Sequence, residues 1–151
     1  MSVAGDHTGP EGLVIVACSK RKIVTSHPVP ALELYQGWVV PQVRQRVQGK
    51  PALRSRVLVI SALHGLITAD TAITTYEQPM TAERQAVIAS TAPARLKTHL
   101  AKYPAREALL LMEPDYVQSL VPLPVPVVHT ITDPMNHHSD IDAVLTSWRW
   151  P

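Results

Sequence analysis

Four short stretches of this chain are apolar where a half-exposed strand would alternate. They are LVIVA at 13–17, RVLVISA at 56–62, ALLLM at 108–112 and VPVVHTI at 125–131, all rich in aliphatic or β-branched residues. A strand covered on one face reads as apolar–polar alternation, whereas near-continuous runs suit strands buried on both faces. Pro126 requires the fourth strand to start late or to lie at a sheet edge. Helical spacing fills the intervals. Leu32, Tyr35, Val39, Val43 and Val47 recur at three and four, and Pro41 predicts a kink or a break into two short helices. A second stripe over 81–102 runs through Ile88, Ala92, Leu96 and Leu100, with Thr81 as N-cap and Pro93 as another interruption. Residues 113–120 fit a short helix. Residues 139–150 fit a closing helix, with Ser139 and Asp142 spaced as a capping box. Alternating strands and helices predict a single three-layer α/β domain over 13–151, built on a mostly parallel sheet of about four strands. Residues 1–12, small and polar, read as a loose tail.

Composition narrows the function. Fourteen cations against 12 anions give a net charge of +2, too mild for a nucleic-acid coat, so any anion site must come from local placement. One cysteine excludes an internal disulfide framework and suits a reducing cytoplasm. No apolar run approaches the ~20 residues of a membrane span, and the amino end shows no signal-peptide pattern. The reading is a cytoplasmic protein without a membrane partner. P-loop, GxGxxG, GxSxG and HExxH patterns are all absent from the sequence.

In parallel α/β sheets ligands bind where loops leave the carboxyl ends of strands. The first strand leads into Cys18, Ser19, Lys20, Arg21 and Lys22. The cations either sit solvated on a surface loop or bind phosphate or carboxylate with help from backbone N–H groups. Cys18 reads either as a small packing residue or as a nucleophile activated by those cations. SALHGL at 61–66 leaves the second strand, bringing Ser61 and His64 to the same edge, with Gly65 for a turn. The stretch from 67 to 80 carries no clear element and ends in ITTYEQPM, where Tyr76 and Glu77 offer an aromatic ring and an acid or base. A loop of that length is either functional or a structural Ω-loop anchored by its tyrosine. DPMNHHSD at 133–140 holds two adjacent histidines without a recognised zinc spacing and reads better as a helix entry than as a metal site.

The segments ACSKRK, PALELYQGW, VLVISALHGL, ITTYEQPM and EPDYVQSL occur in the order and rough spacing of the DUF6884 domains, which this chain resembles over 14–124. The matching positions are Cys18, Ser19 and Lys22; Leu34, Tyr35 and Gly37; Ser61, Ala62, Gly65 and Leu66; then Tyr76 and Tyr116. The strand-to-CSxxK entry is also similar to the base-modification domain of archaeosine synthase and, more faintly, to the YaaA family. Those similarities imply a uracil-DNA-glycosylase-like α/β fold and a link to nucleobases. The closing segment departs from the family pattern, with DPMNHHSD where a Gly-rich, Gln-bearing stretch is expected.

Three functions compete. The first is an enzyme that cleaves or modifies the N-glycosidic bond of a nucleotide, nucleoside or nucleic-acid fragment, without cofactor or metal. In it Ser61, His64 or Glu77 supply acid–base or water-positioning chemistry. Lys20 and Lys22 hold an anion, Tyr35, Tyr76 and Tyr116 contact the base, and Cys18, Ser19 and Gly65 complete the binding set. The second is a non-catalytic module that binds the same ligands through the same cationic loop. The third is a protein-binding surface anchored by Trp148 and Trp150.

Overall fold

The computed structural model describes residues 12–151, so the tail expected over 1–12 lies outside the described residues except for Gly12. Seven strands and six helices follow one another. They are β1 (Gly12–Ala17), β2 (Val29–Pro30), α1 (Ala31–Leu34), α2 (Val40–Val47), α3 (Pro51–Arg54), β3 (Val57–Ser61), β4 (Gly65–Thr68), β5 (Ala72–Ile73), α4 (Ala82–Lys102), β6 (Glu107–Leu111), α5 (Pro114–Leu120), β7 (Val127–Ile131) and α6 (His138–Ser147). Five strands form the central sheet in the order β4-β3-β1-β6-β7. The four expected strands are parallel neighbours, with Val14 opposite Val57 and Leu109, and Leu109 opposite His129. Consistent with Pro126, β7 starts late and lies at an edge.

The two-sided burial of β1, β3 and β6 follows from the layers, whereas the fourth run does not share it: at the sheet edge, β7 leaves Val127, Val128 and Thr130 exposed. Val14 and Val16 pack with α1, α2 and α6 on one face, while Leu13, Ile15 and Ala17 pack with α4 and α5 on the other. All six positions of β1 are buried. Burying a Val, Leu or Ile side chain contributes about 1.5–3 kcal/mol, so alternation in this strand would forfeit one whole layer.

Several local expectations change. The sheet gains a fifth strand, β4, which folds back antiparallel on β3 from the end of SALHGL into the stretch that showed no clear element; β5 from that stretch pairs with β2. The helical stripe of 32–47 breaks between α1 and α2, and Pro41 sits in the first turn of α2, where its missing N–H is no loss. Pro93 does not interrupt α4, which runs continuously for 21 residues. Its apolar stripe, Ile88, Ala92 and Leu96, is buried on the sheet, while Pro93 and Ala89, whose carbonyl the proline frees, are exposed to water. Ser139 caps nothing: α6 begins at His138, with His137 as N-cap and no side-chain capping bond, so Ser139 lies inside the first turn. No helix among the described residues is long and apolar enough to cross a membrane.

Candidate functional site

The loop after β1 turns back on the segment after α1. Ile23 N–H donates to Leu34 O, Gln36 N–H donates to Arg21 O, and Lys22 and Tyr35 form an antiparallel bridge. Ser19, buried, clamps this turn by donating to Arg21 O at 2.6 Å and accepting from Gly37 N–H at 3.1 Å. Arg44 of α2 donates to the carbonyls of Leu32 and Tyr35 and so fixes the end of α1. The loop beyond β5 is fastened by Thr75, whose hydroxyl donates to Ile23 O at 2.7 Å and accepts from Thr25 N–H at 2.7 Å. Tyr76, the next residue, is thereby brought into the cleft between the ends of β1 and β3.

There the side chains meet. Ser61 Oγ, at the end of β3, accepts from the backbone N–H of Leu63 and of His64 at 3.2 and 3.0 Å. Both lone pairs are then committed, so the hydroxyl proton goes to Tyr76 Oη, 2.7 Å away. Tyr76 Oη in turn lies 2.6 Å from Tyr35 Oη. Whichever way that last bond runs, one of the two phenols keeps an uncommitted O–H. Burial pushes the Tyr35 phenol up to about 12. Burial, then the neighbouring Cys18 and Tyr35, pushes Tyr76 above the usual tyrosine range. Both phenols are therefore neutral donors at physiological pH. The Lys22 ammonium stands 4.7 Å from the Tyr76 ring centroid and 5.9 Å from that of Tyr35.

His64 packs edge-on to Tyr76 at 5.1 Å. Its pKa is lowered, first by burial and then by the charge of Arg84, which keeps the imidazole neutral and able to accept a proton. On the other side, Cys18 Sγ lies 3.4 Å from Tyr116 Oη of α5, a phenol raised chiefly by burial. Gly65 takes φ +76°, a left-handed turn that returns the chain from Ser61 into β4.

Cys18, Ser19, Lys22, Tyr35, Ser61, His64, Gly65, Tyr76 and Tyr116 thus gather at the carboxyl end of β1 and β3. Two expected members stand apart. Lys20 contributes its carbonyl, which accepts from Lys22 Nζ at 3.2 Å, while its side chain is exposed. Glu77 is exposed and makes no hydrogen bond or ion pair among the described residues. Sequence reasoning missed Arg84 of α4, which donates to Ala62 O and Leu63 O at 2.8 and 2.6 Å and holds the loop carrying His64. Nothing in the pattern around it distinguishes it from a solvated helix-start arginine. In the 133–140 segment, Asn136 and His137 bond to Asp133, His138 bonds to Gln42, and no metal-ligating group of three occurs among the described residues. Trp148 and Trp150 are buried against each other, with ring centroids 5.5 Å apart, so they belong to the core and offer no exposed anchor.

Comparison with curated proteins and with solved structures finds no significant match. The model of a family of unknown function, DUF6884, matches residues 13–144. That span takes in every strand of the sheet and the whole tyrosine cluster, and the chain belongs to the DUF6884 family.

Proposed function

We propose that the cluster binds a nucleotide unit and that the domain hydrolyses its N-glycosidic bond. One observation carries this reading: the Ser61–Tyr76–Tyr35 chain keeps one uncommitted neutral phenol O–H, and the Lys22 ammonium stands over the faces of the same two tyrosine rings. Together they offer an O–H donor and a positive charge within one cleft, which suits a ligand group that gains negative charge as a bond breaks. In the reaction, water attacks the anomeric carbon, the C–N bond breaks, and the base departs with the electron pair. The phenol and Lys22 stabilise that charge until the base is protonated. Neutral His64 takes the proton from the attacking water. Ser61 acts as a positioning residue, because its hydroxyl is wholly committed. Tyr116 and Cys18 close the far wall. The lone half-buried thiol fits a reducing cytoplasmic setting, which belongs to the same reading.

A second reading, a non-catalytic nucleotide-binding module, is favoured by one observation. No carboxylate among the described residues bonds to the cluster, and Glu113 acts on Tyr116 through charge alone. Titration of a nucleoside and nucleotide panel, with base release assayed in parallel, separates the two. Lys22→Ala should weaken binding by about tenfold or more, the worth of one charge-assisted hydrogen bond. Tyr76→Phe should abolish most base release, and Cys18→Ser should retain it. Unchanged binding in Lys22→Ala removes the anion role, and tight binding with no release across the panel selects the binding module.

A further inference from the structure

A groove of about 810 Å³ runs between β4 and α4, from His64 at one end to Lys102 and Tyr103 at the other. As the edge strand of the sheet, β4 would ordinarily invite another strand to pair with it. Here that edge is closed. Arg95 Nη1 donates to the carbonyls of His64 and Leu66 at 2.8 and 3.2 Å, and Thr68 exchanges backbone and hydroxyl bonds with Thr71. The groove is therefore not built for a β-strand.

Its charge points elsewhere. Helix α4 carries Arg84, Arg95, Lys97 and Lys102 against Glu83 alone. Positions 84, 95 and 102 are about three and two turns apart, which sets them in one row on the helix; of the three, Arg95 and Lys102 line the groove, about 10 Å apart along the axis. None of the three has a carboxylate partner among the described residues. Arg84 and Arg95 donate to carbonyls, and Lys102 Nζ stands 5.5 Å over the Tyr103 ring. Arg54 on the opposite wall, by contrast, is neutralised by Glu33 and Asp70. His64 belongs to both places, since it packs against Tyr76 and also lines the groove.

We infer that this groove holds the phosphate backbone of a single-stranded polynucleotide whose reacting nucleotide lies at the tyrosine cluster. The substrate is then a polymer and not a free nucleotide, an inference that rests on the nucleotide reading of the cluster. The two lining cations, Arg95 and Lys102, are spaced for about three nucleotides at the ~3.4 Å spacing of a stacked strand. Tyr103, 5.0 Å from His99, gives an aromatic platform at the far end. A single strand fits better than a duplex, because a base seated among three tyrosines must already be out of the stack.

The test uses fluorescence anisotropy with a labelled oligonucleotide of about a dozen residues, in DNA and RNA versions, beside mononucleotides and polyglutamate. Lys102→Glu should weaken oligonucleotide binding at least about tenfold, with mononucleotide binding unchanged. The neutral variant Lys102→Gln should lower the salt slope by about 0.7. Lys97 lies on the same helix but does not line the groove, so Lys97→Glu should change binding by less than about threefold. Equal losses in Lys97→Glu and Lys102→Glu would overturn the groove, as would oligonucleotides that bind no tighter than mononucleotides. Competition by polyglutamate at equal charge would replace the nucleic acid with an acidic peptide. If Lys22→Ala leaves mononucleotide binding untouched while Lys102→Glu still weakens the oligonucleotide, the groove stands and the reading of the cluster fails.

Discussion

Ser61 is fully buried, and its hydroxyl answers Leu63, His64 and Tyr76 at once. Replacing it with alanine strands two backbone N–H groups and one phenol, and an unsatisfied buried group costs about 1–3 kcal/mol. Ser61→Ala should accordingly lower the unfolding free energy by at least about 1 kcal/mol in urea titration; a loss below about 0.5 kcal/mol would mean that the three bonds do not hold the turn. The sequence exposed Ser61, Cys18 and Lys22 because each closes or follows a buried strand. It could not sort their immediate neighbours. Glu77 follows Tyr76 in a stretch without regular structure, where no period tells neighbours apart; the tyrosine enters the cleft and the carboxylate meets water. Lys20 lies in the bend before the Lys22–Tyr35 bridge, and only the bridge fixes a side chain over the cluster.

At the level of elements, β1, β3 and β6 were legible because two-sided burial leaves an unbroken apolar run, and α4 because its stripe keeps helical spacing past Pro93. The strand β4 was not. Four residues, GLIT, are too few to show a period, and the strand exists through its turns: Gly65 at one end and the Thr68–Thr71 exchange at the other. Gly65→Ala tests this. A methyl group there would meet Arg95 Nη1 at 3.1 Å, in a backbone conformation at φ +76° that disfavours any side chain. Expected are a loss of about 1 kcal/mol or more and faster amide hydrogen exchange across 65–68, with the parallel strands unaffected. Exchange unchanged in β4 would show that the turn does not depend on glycine.

Across the whole molecule, groups perturbed in opposite directions bracket a neutral window of stability. Burial holds His64 and His99 below the ordinary histidine value of 6.5. As pH falls through that value the unfolded chain takes up protons first, so stability present above it is lost below it. Tyr35, Tyr76 and Tyr116 are raised above 10.0. As pH rises through that value the unfolded chain loses protons first, so stability declines on the alkaline side as well. Urea midpoints should fall on both sides of the window, and His99→Gln should flatten the acid limb; midpoints that keep rising with acid would refute the assignment. The alkaline limb has an optical counterpart. Three of the chain's four tyrosines share the one cleft, so most of the phenolate absorbance of an alkaline titration should emerge as the cleft comes apart and not before. An ordinary spectrophotometric titration thus becomes a gauge of whether the cleft is assembled, usable before any ligand has been found.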